Sequence, residues 1–132
     1  MEIKYTSKGG RIASITMQWF VIMFMLFDGV IKFIRPEPVI QTTINELGYK
    51  EHHILVHGLS SLVCTVLFTI PRTSILGAVL MTAHLGGAIA SNLRIDTPLF
   101  SHILFPVYIG ILAWGSLWLR SARLRSLLPL VN

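Results

Sequence analysis

Apolar residues run along this chain in four long blocks, separated by short polar or proline-containing breaks. The blocks cover Ala13–Ile34, His53–Ile70, Ser74–Leu93 and Leu99–Leu119. A helix that crosses a bilayer needs about 20 mostly apolar residues, within a range of about 17–25, and each block is long enough. The pattern predicts an all-α fold, a bundle of four antiparallel transmembrane helices. Short basic tails at residues 1–12 and 120–132 flank it.

The breaks set the connections. Pro36 and Pro38 in "RPEP" cannot continue a helix and end the first span. In the loop that follows, Val39, Ile40, Ile44 and Leu47 fall on one helical face, with Pro at its start and Gly48 at its end. This predicts a short helix at the membrane interface, with a plain loop as the alternative. "TIPRTS" reads as a tight turn in which Pro71 breaks the helix and Thr73 or Ser74 caps the next one. "RIDTP" reads as a second tight turn, with Thr97 as cap and Pro98 in the first turn after it. Short turns make the second, third and fourth spans antiparallel neighbours.

Composition agrees with the pattern. The chain is 53% hydrophobic and only 13% charged, with a mean hydropathy of +0.68, which leaves too little polar surface for a soluble domain of 132 residues. Lys4, Lys8 and Arg11 precede the first block as they would a signal peptide. That block is too long for a signal's apolar core, and no small-residue cleavage site follows it.

The net charge of +5 does not point to nucleic acid, because of where it lies. Lys4, Lys8, Arg11, Arg72, Arg120, Arg123 and Arg125 fall on one side of a four-span arrangement. Lys32, Arg35, Lys50 and Arg94 fall on the other, together with Glu37, Glu46, Glu51 and Asp96. The positive-inside rule then places both termini in the cytoplasm. The single cysteine, Cys64, lies in the second span and has no partner for an internal disulfide. It reads as a small core residue.

Polar residues within the spans are unevenly distributed in depth. At a rise of about 1.5 Å per residue, Asp28 lies roughly 9 Å below the outer surface, His57 roughly 6 Å, His84 roughly 13 Å and His102 roughly 5 Å. Lys32, Asn92 and Arg94 sit near the mouth. Intramembrane ionisable groups are costly and usually face a bundle interior or a water-filled cavity. Four spans contributing to one layer predict a shared polar cavity in the outer half of the bundle. Blander readings exist for each residue. Asp28 and Lys32 are spaced to form a self-contained ion pair on one helix face, and Lys32 can also snorkel. His84 reads equally as a neutral core histidine, and His57 and His102 as interfacial anchors. Pro106 removes the helical hydrogen bond to the carbonyl of His102, which gives either a plain kink or an extra acceptor. Imidazole suits zinc, copper and iron, yet His57, His84 and His102 each lie on a different span, and the only cysteine lies on the inner side of their layer. The reading is therefore no metal site. Phosphate loops, nucleophile elbows and paired catalytic carboxylates are absent too, so no self-contained catalytic motif marks an enzyme. In the third span, Gly86, Gly87, Ala88, Ala90 and Ser91 predict close helix packing within the bundle, with a homo-oligomer contact as the alternative.

The stretches "FDGVIKFIRP", "ELGY", "IPRTSILGAVLMTAHLGGAIASNLR" and "HILFPVYIGILAWGSLWLR" with a trailing "RLRSLLP" resemble the DoxX-like family of small four-helix membrane proteins. The resemblance covers roughly residues 15–129. Its most specific parts are Gly29–Lys32 and Gly86–Arg94. The family commonly carries Tyr where this chain has His84, His where it has Asn92, and Pro where it has Lys50. These departures favour a cavity that adapts to its contents over a fixed proton relay. Members of the family are associated with a thiosulfate:quinone oxidoreductase of acidophilic archaea and with bacterial oxidative-stress complexes. A vertebrate relative resembles a chaperone of nicotinic receptors. The resemblance thus implies a bacterial inner-membrane protein surrounded by lipid. Its outer-half cavity would hold a quinone or another amphiphile, lined by Asp28, Lys32, His57, His84 and His102 with Asn92 and Arg94 at the mouth. No redox centre of its own is legible, so electron transfer would need a partner or bound cofactor. An assembly factor working through helix–helix contacts is the alternative, and an oligomeric transporter a third.

Overall fold

The computed structural model describes residues 2–131. Its elements are helices: α1 (Lys8–Ile34), α2 (Glu37–Ile40), α3 (Glu51–Thr69), α4 (Ser74–Arg94), α5 (Phe105–Arg120) and α6 (Ala122–Leu127). Wide π-helical turns occupy Gln41–Glu46 and Leu99–Ile103. Four segments are long and apolar enough to cross a membrane: Lys8–Ile34, Glu51–Thr69, Ser74–Arg94 and Leu99–Arg120. α1 packs between α3 and α5, and α4 closes the square on the opposite corner. This is the four-helix bundle that the hydrophobic blocks predicted. Both chain ends lie at one end of it, here the termini end. The α1–α3 connection and the α4–α5 turn lie at the other, the loop end.

Helix boundaries follow local chemistry. α1 begins at Lys8, inside the stretch read as a basic tail, because the Ser7 hydroxyl accepts from the Gly10 amide at 3.0 Å. It ends at Ile34. Arg35 then turns left-handed (φ 56°) and donates its N–H to the Ile31 carbonyl at 3.0 Å, just before Pro36. The expected short helix after it is present: α2 with Pro36 and Pro38 at its start, widening into the π turn at Gln41–Glu46. Gly48 stands beyond it at φ 76°, a conformation that favours glycine.

Two expected caps act differently. Thr73 and Ser74 donate instead of accepting. The Thr73 hydroxyl bonds the Leu67 carbonyl at 2.8 Å, and the Ser74 hydroxyl bonds the Pro71 carbonyl at 3.0 Å. They satisfy carbonyls in the last turn of α3 and in the turn after it, which a helix end in a membrane must do somehow. Thr97 likewise turns back and bonds Asn92 in α4. The fourth span starts as a π turn after Pro98, and Pro106 lies buried in the first turn of α5, where its missing N–H costs little.

The core is an apolar column: Val21, Ile22 and Met25 of α1, Cys64 and Phe68 of α3, Met81 and Leu85 of α4, and Ile109, Ala113 and Leu117 of α5. Hydroxyls within the spans are satisfied locally. Thr16, Thr65, Thr82 and Ser91 each donate to the carbonyl four residues back, at 2.7–2.8 Å. α4 packs tightly on the end of α3 at Gly77, where a Cβ would run into the backbone of Leu67 and Phe68.

Of the small residues expected to pack α4 within the bundle, three do not. Gly86, Gly87 and Ala90 are exposed, and no atom lies within 4 Å of where a Cβ would stand on either glycine. The buried stripe of α4 is Ser74, the adjacent Gly77 and Ala78, then Met81 and Leu85, recurring every three or four residues. Gly86, Gly87 and Ala90 fall off that stripe, so helical phase turns them away from α3 and α5. A Gly77→Ala variant is accordingly expected to lose about 1–3 kcal/mol of stability by overpacking, while Gly86→Ala changes little. Thermal unfolding of the detergent-solubilised protein compares the two.

Candidate functional site at the loop end

The site is built on the crossing of α1 and α3. A Cβ on Gly58 would lie 3.1 Å from the Gly29 carbonyl oxygen and 3.0 Å from Cβ of Lys32. A Cβ on Gly29 would lie 3.3 Å from the Gly58 carbonyl and 2.7 Å from Leu62. Two glycines facing each other let the backbones touch. One turn below, the Ser61 hydroxyl donates to the Met25 carbonyl at 3.1 Å and fixes the register.

This crossing lays the charged face of α1 against α3. Lys32 Nζ is 2.6 Å from Asp28 Oδ1 and 3.2 Å from the Asp28 carbonyl, and both side chains are half-buried. Among the described residues it is one of two ion pairs. The other, Arg35 with Glu51 at 3.2 Å, is more exposed and links the end of α1 to the start of α3. His57, half-buried, directly precedes Gly58 at this crossing, and His84 of α4 is half-buried too. His84 shares a 3.1 Å hydrogen bond between Nδ1 and Ser60 Oγ, which joins α4 to α3.

A strap from the α2–α3 connection lies over this layer. Tyr49 sets its ring edge-on to His57, with centroids 4.5 Å apart, and its hydroxyl bonds the Ser91 hydroxyl of α4. The Tyr49 amide donates to the Thr43 carbonyl at 3.0 Å, and Thr43 is buried beneath the strap. Arg94 grips the Leu47 carbonyl.

The structure therefore brings four of the seven expected residues into one neighbourhood: Asp28, Lys32, His57 and His84. The other three stand apart from it. Asn92 has its amide nitrogen on the Ala88 carbonyl at 2.9 Å and its amide oxygen on Thr97 at 3.2 Å, so it finishes α4. Arg94 is exposed and holds the strap. His102 is exposed in the π turn, with Nδ1 2.7 Å from Ser101 Oγ. Ser60, Tyr49 and Ser91 join the neighbourhood without having been singled out as site residues. Their signal was faint: an aromatic in a polar loop, and hydroxyls in phase with the ionisable positions.

Two pockets of several hundred cubic ångströms open on the surface, and neither is lined by this layer. One, of about 530 Å³, is an apolar groove on the outer flank of α1 between Met23 and Pro36. The other, of about 460 Å³, lies at the termini end. Among the described residues no three His, Cys, Asp or Glu side chains come together as a metal site would need.

A bundle of four apolar helices with a polar layer near one end defines a multi-pass membrane protein. The sequence profile of the DoxX-like family matches residues 16–116, and the chain belongs to that family. No curated protein and no solved structure matches it.

The half-buried ion pair gives a direct check. Asp28→Asn or Lys32→Met alone leaves a charge without its partner in a poorly solvated place and should cost about 1–3 kcal/mol. Removing both with Asp28→Asn and Lys32→Met should cost less than the worse single change. A double-mutant cycle of unfolding in detergent measures the coupling.

Proposed function

We propose that this protein binds an amphiphilic small molecule with a quinone-like headgroup at the loop-end layer. On this reading it serves as a subunit of a membrane redox or oxidative-stress complex. The observation that carries the reading is the convergence of Asp28–Lys32, His57 and His84 from three spans beside an open helix face. Gly87 and Ser91 follow His84 by three and seven residues, so they share its side of α4. Gly87 leaves free space there. A quinone headgroup needs hydrogen-bond donors beside an apolar slot. His84, Ser60 and Lys32 supply donors, and the lipid-facing side at Gly87 supplies an approach. The chain binds and orients the headgroup, and electrons come from a partner.

On the same reading both termini lie in the cytoplasm of a bacterial inner membrane, following the excess of basic residues at the termini end. Native mass spectrometry of gently solubilised protein, paired with an organic extract of the same sample, tests the proposal. A bound amphiphile that is lost in Asp28→Asn and in His84→Leu, with the fold retained, is the expected result. An empty wild-type protein would sink it.

A second reading, an assembly factor that docks other membrane proteins, is favoured by the exposed Gly86, Gly87 and Ala90. A face without side chains suits close helix approach. Here Gly87→Cys, in a Cys64→Ala background, is expected to cross-link to a foreign membrane protein. Capture of none would remove this reading.

A further inference from the structure

The pocket at the termini end is unrelated to the loop-end layer and has a different chemistry. Three segments distant in sequence build it: the N-terminal segment with Glu2 and Lys4, the α3–α4 turn with Arg72, and the α5–α6 corner with Ser121 and Arg123. Ile75, Leu124 and Leu127 supply an apolar wall. Among the described residues, none of Lys4, Arg72 and Arg123 has a carboxylate partner. Three cations thus face one space of about 460 Å³ that holds a single acid.

The walls are held in place by hydrogen bonds. The Lys4 amide donates to the Arg120 carbonyl at 2.7 Å, and the Thr6 amide donates to Leu119 at 3.2 Å. Arg125 braces the same N-terminal segment. It donates to the Lys4 carbonyl at 2.9 Å and to the Trp118 and Leu119 carbonyls at 2.8 and 3.0 Å. Ser121 caps α6 by accepting from the Leu124 amide at 3.2 Å. Next to Ser121 in the chain, Arg120 is buried at 4% exposure. Its Nη1 bonds Gln18 at 2.6 Å, while its Nε and Nη2 have no protein partner. A buried cation whose only polar partner is a neutral amide adds positive potential to this end of the bundle.

We propose that this pocket binds the phosphate headgroup of an anionic phospholipid. Its position argues for lipid over a free anion. Arg72 lies in the turn between the membrane-spanning α3 and α4, and a turn that joins two full-length spans falls in the headgroup region. Ile75 and Leu127 are exposed beside it and offer a surface for the first carbons of an acyl chain. The two guanidinium groups match the oxygens of a phosphate diester, and Lys4 adds a point charge. Basic pockets between helices at a cytoplasmic boundary recognise lipid headgroups in this manner. A free phosphate would use the cations and leave the apolar wall unused.

The test uses the full-length protein in nanodiscs of matched phosphatidylglycerol and phosphatidylcholine, released for native mass spectrometry. Wild-type protein should retain phosphatidylglycerol and little phosphatidylcholine. Arg72→Gln with Arg123→Gln should reduce retention about tenfold or more, since each base near the surface contributes a few-fold. Lys50→Gln, at the opposite end, should leave it unchanged, and circular dichroism checks that all variants are folded. Equal retention of both lipids, or unchanged retention in the Arg72/Arg123 variant, would overturn the proposal. Displacement of the lipid by millimolar inorganic phosphate would overturn it too, by assigning the pocket to a free anion. The loop-end reading is independent, because its ligand is lost with Asp28→Asn and this one is not.

Discussion

Where Gly29 meets Gly58, two helix backbones come into contact, and the polar chemistry of the loop end is arranged around that contact. A larger residue at either position would push α1 from α3 by the width of a side chain. With the helices touching, Asp28 and Lys32 sit half-buried against α3 instead of facing lipid. Hydrocarbon offers no partner to an ammonium or a carboxylate, so the 2.6 Å pairing of these two is what makes their depth tolerable. His57 comes from the residue beside Gly58, and Ser60, two residues further on, reaches His84 on α4. The strap at Tyr49 then closes over His57.

The two ends of the bundle solve the same problem in opposite ways. At the loop end, the half-buried Asp28 and Lys32 are paired with each other, and His57 and His84 find an aromatic and a hydroxyl neighbour. At the termini end, positive charge is left in excess. Arg120 is buried with a single neutral partner, and Lys4, Arg72 and Arg123 surround a common space. Between them lies an apolar column in which Thr65 and Thr82 donate to backbone carbonyls. That separation suits a small membrane protein whose ends meet different surroundings.

Much of this was legible in the sequence. Four hydrophobic blocks bounded by prolines and polar turns gave the spans to within a few residues, because apolar length is what a bilayer demands. The depth of Asp28, His57 and His84 could be counted along each helix. Rotation was harder to read. Asn92 and His102 lie at suitable depths yet point into local hydrogen bonds, since a turn residue and a side-chain amide can satisfy each other without reaching across the bundle. Gly86 and Gly87 looked like packing residues by composition, but the stripe through Gly77, Met81 and Leu85 fixes the phase of α4 and leaves them outside. By sequence Arg120 is the first residue of a basic tail. The segment at Lys4–Thr6 folds back over its carbonyl, a contact between distant parts of the chain that no local pattern announces.

The central claim is the direct contact of α1 and α3 at their glycines, and it can be measured without altering a side chain. The protein would be labelled at the Gly29 carbonyl carbon and the Gly58 amide nitrogen, reconstituted in bilayers, and examined by solid-state NMR for dipolar coupling between the two. A clear through-space coupling is the predicted result. Its absence, with the helical signal intact, would mean that the helices stand apart and that the loop-end layer is not assembled as described.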